Sequence, residues 1–438
     1  MPELSTDASE ISWRWGIGEQ PAFSPRRASV PVLALERLKR AREHVVLGWF
    51  HRYPARFAAD VVTGMLAQVV TESRRPVTSI LDPFCGTAAV VAASRQLGLA
   101  AMGVELTTLG VTVGRLRLDP PVNPWEAAAF CERMARLEPA KNARVNDELA
   151  RWLGDENARL LTAWRPVLET VDDRRLSRFV TVALSQSLRP SSQWLAGSVK
   201  VTADPLRTPI PLRHSLPRWA RQLARDCSAE QDALADINDI FGQRRPPAAV
   251  TLGDARRLPL ADAGADAIVT SPPYFVTYDY FDIQRLSYLA FGWPVQRRDQ
   301  IGAKYGHDSF GGAVDLPAAF RTWYESDFGA ERTTLGRALR TYVEDLRTHL
   351  KDAMRVVAPG GVVAYSVANS VRAGRVFDLA AGFEQLLLEA GFADVRSTAR
   401  EQAGRRILPP GRDPASGRFS SDNHSAGIRE YIVSGRRP

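Results

Sequence analysis

The apolar run Ala267-Ile268-Val269-Thr270 is stopped by Ser271-Pro272-Pro273-Tyr274, and this junction constrains the fold more than any other segment. A short run without polar alternation reads as a strand buried on both faces, the pattern of a parallel sheet covered by helices. Two consecutive prolines fix φ and remove backbone donors, so the strand ends there. What stands at its C-terminal end is a hydroxyl, a set of carbonyls and an aromatic ring face. Such a group suits a flat ligand carrying an exocyclic amine. Pro-Pro-Tyr also occurs in plain turns, so the reading depends on a partner elsewhere in the chain.

That partner lies upstream. Val77-Thr78-Ser79-Ile80-Leu81 reads as a short strand, Asp82-Pro83-Phe84-Cys85-Gly86-Thr87-Ala88 as a small-residue turn, and Ala89 to Leu97 as the helix it opens. Strand, tight turn and helix N-terminus make a nucleotide cradle. A second strand, Gly98 to Glu105, ends in a carboxylate about 20 residues beyond the turn, where a ribose diol would donate two hydrogen bonds.

Asp82 to Ala88, Glu105 and Ser271 to Tyr274 together resemble the cofactor and catalytic motifs of the S-adenosylmethionine-dependent amino-methyltransferases of DNA. The Ser-Pro-Pro-Tyr form is similar to the cytosine-N4 branch, whereas the adenine-N6 branch more usually has Asp or Asn first. His51-Arg52-Tyr53-Pro54-Ala55-Arg56-Phe57 resembles the family's Tyr-Pro-Ala-Lys-Phe segment, and Leu252-Gly253-Asp254-Ala255 resembles the motif whose Asp accepts from the cofactor's adenine amine.

The resemblance implies that Tyr53, Pro54, Phe57, Asp82, Pro83, Phe84, Gly86, Thr87, Glu105 and Asp254 hold S-adenosylmethionine. It implies that Ser271, Pro272, Pro273 and Tyr274 form the catalytic pocket, with Tyr274 stacking on a base turned out of the duplex. The implied fold is α/β, a Rossmann-like seven-stranded class I methyltransferase sheet. The implied activity is methyl transfer to the N4 amine of cytosine in double-stranded DNA, without a metal; a cognate restriction endonuclease is a candidate partner. Adenine-N6 methylation, guanine-N2 methylation of RNA, and a catalytically silent DNA-binding protein of this fold are the alternatives. Two departures stand out. Ala88 occupies a position where the family has glycine, and its Cβ calls for a negative φ. Gly253-Asp254 follows the long insertion, unlike the nearest motif order in the family.

A net charge of +8 and a pI near 9.6, almost all from arginine, suit a polyanionic partner. The three cysteines have no Cys-x-x-Cys spacing, and none follows a proline as the nucleophile of cytosine-C5 methyltransferases does, so that chemistry is excluded. The six histidines lack metal spacing. Without a leader or a long apolar run, the expectation is a cytoplasmic enzyme that does not enter membranes.

Residues 1–26 read as a flexible arm, 27–111 and 247–438 as the catalytic domain, and 112–246 as a mostly helical insertion and candidate DNA-recognition region. Val32 to Val45 form an apolar stripe at helical spacing. Within the insertion, Trp125, Trp152, Trp164, Trp194 and Trp219 read as core. The apolar helix Arg175 to Ser185 leads into a polar stretch in which Arg189, Ser191 and Ser192 either touch DNA or stand in a solvated loop. Arg213, Arg218, Arg221 and Arg225 form a second basic stretch at near-helical spacing, which reads as a solvated helix face before a DNA contact. The aromatic stretch Phe275 to Asp282, with Tyr278 as a candidate base wall, either walls a base or caps the sheet, and 295–335 reads as a mobile loop over DNA. The spacing then predicts a helix Tyr342 to Val357, a turn Ala358 to Gly361, a strand Val362 to Val367, a helix Phe377 to Ala390, a strand from Ala393, a loop with Arg406 as a candidate phosphate contact, and a late strand from Glu430.

Overall fold

The computed structural model describes residues 44–52, 57–139, 145–196, 198, 201–241, 246–275, 279–295, 299–302, 315–325, 334–372, 375–400 and 429–438. The N-terminal arm, most of the apolar stripe after it, Tyr53, Pro54, Tyr278 and Arg406 lie outside the described residues.

In chain order the elements are α1 (Ala59–Glu72), β1 (Ser79–Asp82), α2 (Ala89–Gln96), β2 (Ala100–Glu105) and α3 (Thr108–Leu118). The insertion follows with α4 (Pro124–Met134), α5 (Asp147–Leu153), α6 (Asp155–Glu169), α7 (Arg174–Leu188) and α8 (Leu212–Phe241). The chain then returns through β3 (Ala248–Leu252), β4 (Ala265–Thr270), α9 (Tyr280–Ile283), α10 (Arg285–Phe291), α11 (Ala318–Glu325), α12 (Thr334–Val356) and β5 (Val357–Ala368). It closes with the small hairpin β6 (Ser370–Arg372) and β7 (Arg375–Phe377), then α13 (Leu379–Glu389), β8 (Ala393–Arg400) and β9 (Glu430–Arg436).

Seven strands form one sheet in the order β3-β2-β1-β4-β5-β9-β8. The first five run parallel, and β9 is antiparallel to both β5 and β8. This is the Rossmann-like seven-stranded sheet of class I methyltransferases. Its parallel strands are buried on both faces because alternate residues enter different cores. Ile80, Ala267, Val269, Val362 and Ala364 pack with α1 and α2, whereas Leu81, Ile268, Val363, Tyr365 and Val367 pack with α12 and α13. Asp266 pins the start of β4 to β1: its Oδ2 accepts from the backbone N–H and hydroxyl of both Thr78 and Ser79.

Residues 112–246 contribute Trp164, Phe179, Val182, Leu184, Trp194 and Leu216 to a core shared with Leu109, Val113 and Leu116 of α3 and with Phe281 of α9 and Leu286, Tyr288 and Phe291 of α10. Helix α3 therefore runs through residue 112, where the sequence places the start of the insertion, and serves both cores. Trp164 and Trp194 are fully buried, Trp152 and Trp219 half-buried, and Trp125 exposed.

Two expectations need correction here. Ala358 to Gly361 is not a simple turn before a strand. Its backbone pairs with Arg437, Gly360 N–H donating to the Arg437 carbonyl and Arg437 N–H to the Gly361 carbonyl, both at 2.9 Å. The segment is thereby drawn into β5 as an irregularity against β4. Ser191 and Ser192 are neither DNA contacts nor solvated: both are fully buried. Ser192 Oγ donates to the Arg189 carbonyl at 2.9 Å and accepts from Trp194 N–H at 3.2 Å, so it closes the turn after α7.

Candidate active site

The carboxyl ends of four adjacent strands supply the site. Asp82 ends β1, Glu105 ends β2, Gly253-Asp254 follows β3, and Ser271 follows β4. Strand order reverses between β1 and β4, and a crevice at such a switch point is where open α/β sheets bind ligands. One cavity there is bordered by Phe57, Asp82, Pro83, Phe84, Gly86, Thr87, Glu105, Asp254 and Ser271 to Tyr274. Every sequence-predicted cofactor or catalytic residue that falls among the described residues thus meets at one place.

The turn after β1 is held by backbone bonds. Cys85 N–H donates to the Val104 carbonyl at 3.0 Å, and Ala88 N–H to the Cys85 carbonyl at 2.7 Å. Gly103 lets the turn lie on β2, since a Cβ there would stand 2.6 Å from Cys85 Sγ. Ala88 departs from expectation: its φ is +60°, left-handed, not negative. The turn's bonds impose that conformation, at a cost of about 1–2 kcal/mol for a residue with a Cβ. Gly114 of α3 makes room, because a Cβ there would lie 3.1 Å from the Ala88 methyl.

Glu105 is almost fully buried and organises the turn it faces. Its Oε2 accepts from Gly86 N–H at 3.0 Å, and its Oε1 accepts from the N–H and hydroxyl of Thr107 at 2.8 and 2.6 Å. Asp254 is not a free acceptor. The Arg256 guanidinium grips it, with Nη2 2.7 Å from Oδ2, while Nη1 donates to Asp345 at 2.7 Å. Asp82 accepts from Thr270 Oγ1 at 2.6 Å and from Phe84 N–H at 3.2 Å. Burial nonetheless raises its carboxyl to a pKa of about 7, against the pull of those two bonds and with a further push from Glu105.

On the other wall, the Ser271 hydroxyl lies 3.1 Å from the Ser366 carbonyl and 3.3 Å from the Tyr274 hydroxyl. The single serine proton serves one of these two oxygens, Tyr274 Oη itself standing 3.5 Å from the Ser366 carbonyl, and with either partner Ser271 Oγ keeps a lone pair as an acceptor. The Pro273 carbonyl accepts from Tyr342 Oη at 2.9 Å, which ties the Pro-Pro segment to α12. Burial pushes the Tyr274 phenol up to about 12, so it stays protonated. Of the two readings of the aromatic stretch, Phe275 follows the packing one: it is buried against Trp323, Tyr342 and Phe377.

Tyr280, from the aromatic stretch singled out in the sequence, borders the cavity, and sequence reasoning missed Thr107, Asp299, Gln300 and Ile301, which border it as well. Thr107 had a local signal, since it caps α3 by accepting from Gly110 N–H at 3.1 Å. The 299–302 segment had none; it is placed by Arg256 donating to the Asp299 carbonyl at 3.0 Å and by Gly302 N–H donating to Asp345 at 2.9 Å. The thiols of Cys85, Cys131 and Cys227 are all buried, and burial raises their pKa values. Among the described residues no group of three or more His, Cys, Asp or Glu is placed to hold a metal, and no helix is long and apolar enough to cross a membrane.

The sheet order and the crevice at its switch point define a class I methyltransferase fold. No family model matches the chain, and no curated protein matches it. It is similar to two solved structures of the rRNA methyltransferase aviRa from Streptomyces viridochromogenes, each at 12% identity. One covers 90% of this chain and 92% of that chain with a TM-score of 0.29; the other covers 89% and 91% with a TM-score of 0.27.

Proposed function

We propose that this protein transfers a methyl group from S-adenosylmethionine to the N4 amine of cytosine in double-stranded DNA. The observation that carries the reading is that Ser271, whose Oγ keeps a lone pair to accept, faces the same cavity as the Asp82 to Thr87 turn, Glu105 and Asp254.

The cavity's residues fit that cofactor. Asp82, Glu105, Asp254 and Asp299 line it, and no Lys, Arg or His side chain does so among the described residues. Such a lining favours a ligand that carries a sulfonium and an ammonium. Asp82 to Thr87 would hold the methionine end, Glu105 the ribose and Asp254 the adenine; Arg256 keeps Asp254 oriented. The cofactor supplies an electrophilic methyl group with a good leaving group behind it.

The chain's own residues act on the base. Its exocyclic amine donates to Ser271 Oγ, which holds the nitrogen lone pair out of ring conjugation and aimed into the cavity. That hydrogen bond strengthens as the nitrogen gains positive charge, so it lowers the barrier more than it tightens binding. Tyr274 offers its ring to the base, and Tyr342 fixes the Pro-Pro segment that sets the distance. Mass spectrometry of nucleosides from DNA treated with protein and cofactor tests the reading, and N4-methylcytosine is the expected product. N6-methyladenine would leave the pocket argument and replace the base; methylguanine in RNA alone would replace the partner; 5-methylcytosine would refute the serine-based chemistry.

A further inference from the structure

A second cleft, of ≈ 560 Å³, opens between the insertion and the segment that precedes Tyr53. Arg52, Arg189, Arg207, Arg218, His51 and His214 line it, and no carboxylate does so among the described residues. Several arginines of the insertion outside the cleft are paired with acids: Arg213 with Glu138 and Glu156, Arg221 with Glu132, Arg175 and Arg178 with Asp119. The four in the cleft have no acidic partner among the described residues.

Two of these guanidiniums are held in place. Arg207 donates to the carbonyls of Trp194 and Pro190, and Arg189 lies 4.6 Å over the Trp194 ring. Converging like charges with no counter-ion raise the energy of the empty cleft, and an oxyanion relieves it. Burial, and after it the charges of Arg52 and Arg207, lowers the Arg189 pKa to about 10. His51 adds a buried Nδ1 with no hydrogen-bond partner among the described residues, while its Nε2 meets Ser185 Oγ at 2.9 Å.

The cleft adjoins the active site. Gln284 lines it, and Gln284 Nε2 donates at 3.4 Å to Thr107 Oγ1, which borders the acidic cavity. On its outer side Arg52, Arg218 and Trp219 are shared with a depression that also holds Trp49 and Arg225. An acidic cavity beside a basic, aromatic-edged cleft separates the place of a cationic cofactor from that of a polyanion.

We propose that the cleft of Arg52, Arg189, Arg207 and Arg218 is a phosphate site that holds the backbone of the nucleic-acid strand whose base enters the active site. The assignment of the strand rests on the function proposed above. Phosphate contacts fix register without reading sequence, so the cleft positions the strand and leaves base choice to the Ser271 pocket.

The test uses the full chain, a fluorescein-labelled DNA duplex, inorganic phosphate and S-adenosylmethionine. Arg189→Gln with Arg218→Gln is expected to raise the duplex Kd about tenfold or more and to lower the salt slope by about 1–2. S-adenosylmethionine affinity is expected to stay unchanged, and inorganic phosphate to compete with the duplex in the wild type more than in the variant. Arg218→Gln alone, at an exposed side chain, gives the same direction of change should the double variant lose its fold. Unchanged duplex affinity and slope would overturn the proposal, as would a phosphate site whose loss leaves duplex binding intact. Failure of the wild type to bind S-adenosylmethionine, with the duplex effects present, would instead refute the active-site reading while the phosphate site stood.

Discussion

Thr270 Oγ1 donates a 2.6 Å hydrogen bond to Asp82 Oδ1, joining the last residues of β4 and β1 where the strand order reverses. The bond links the proposed cofactor turn to the strand that delivers Ser271, so a change in the Asp82 charge is felt on both walls of the cavity. Burial keeps that carboxyl near a pKa of 7, while a cation beside it would restore the ionised form.

Asp82 makes stability depend on pH in a defined direction. Its folded pKa is raised, so its contribution is full below the unfolded value of 3.8 and is lost as pH rises through about 7. The loss has a ceiling on the order of 4 kcal/mol, at 1.36 kcal/mol per unit. Urea unfolding from pH 4.5 to 8 is expected to show the wild type falling relative to Asp82→Asn, which cannot ionise. Parallel curves for the two proteins would refute the burial argument.

His349 has the opposite sign. Its ring lies between the Ala255 carbonyl at 2.8 Å and Tyr365 Oη at 2.9 Å, and burial lowers its pKa to about 4. A lowered histidine costs stability as pH falls from its ordinary 6.5 toward 4, because the unfolded chain binds the proton first. His349→Gln is expected to be less stable at pH 7 and to lose less on acidification, as read by thermal unfolding at pH 7 and pH 5.

Glu105→Gln and Asp254→Ala are each expected to weaken S-adenosylmethionine binding by about 1.5–3 kcal/mol, since each removes a charged acceptor. Asp254→Ala spares the fold because Arg256 keeps Asp345 at 2.7 Å. Calorimetry with unchanged affinity in both variants would remove the cofactor assignment.

Ser271→Ala is expected to lower the rate of methyl transfer about tenfold or more while leaving duplex affinity nearly unchanged, because the bond to the amine gains most in the transition state. Tyr274→Ala should lose turnover and keep most cofactor affinity. Single-turnover rates alongside binding titrations separate the two effects; equal losses in rate and duplex binding for Ser271→Ala would place the serine in ground-state binding only.

Ala88→Gly is expected to be neutral or to stabilise the fold by up to about 1 kcal/mol. It relieves the left-handed strain at φ +60°, partly offset by the freer unfolded chain and the lost buried methyl. A fall in the urea midpoint would show that the methyl's contact with α3 outweighs the strain.

The strands that bear the site were legible in the sequence because their information is local. Ala267 to Thr270 runs apolar into two prolines, and Asp82 to Thr87 follows a strand and opens a helix, so neighbouring residues alone place Ser271, Glu105 and Asp254 at strand ends. Contacts across long separations were not legible. Asp254 looked like a free acceptor until Arg256 and Asp345 closed on it, and Ser191 and Ser192 looked exposed until α6 and α8 packed over the turn that holds them. The left-handed Ala88 and the gathering of Arg52, Arg189, Arg207 and Arg218 in one cleft are likewise decisions of tertiary structure. Periodicity and turn chemistry act over a few residues, whereas pairing, burial and the electrostatic cost of converging charges arise only when distant segments share one core.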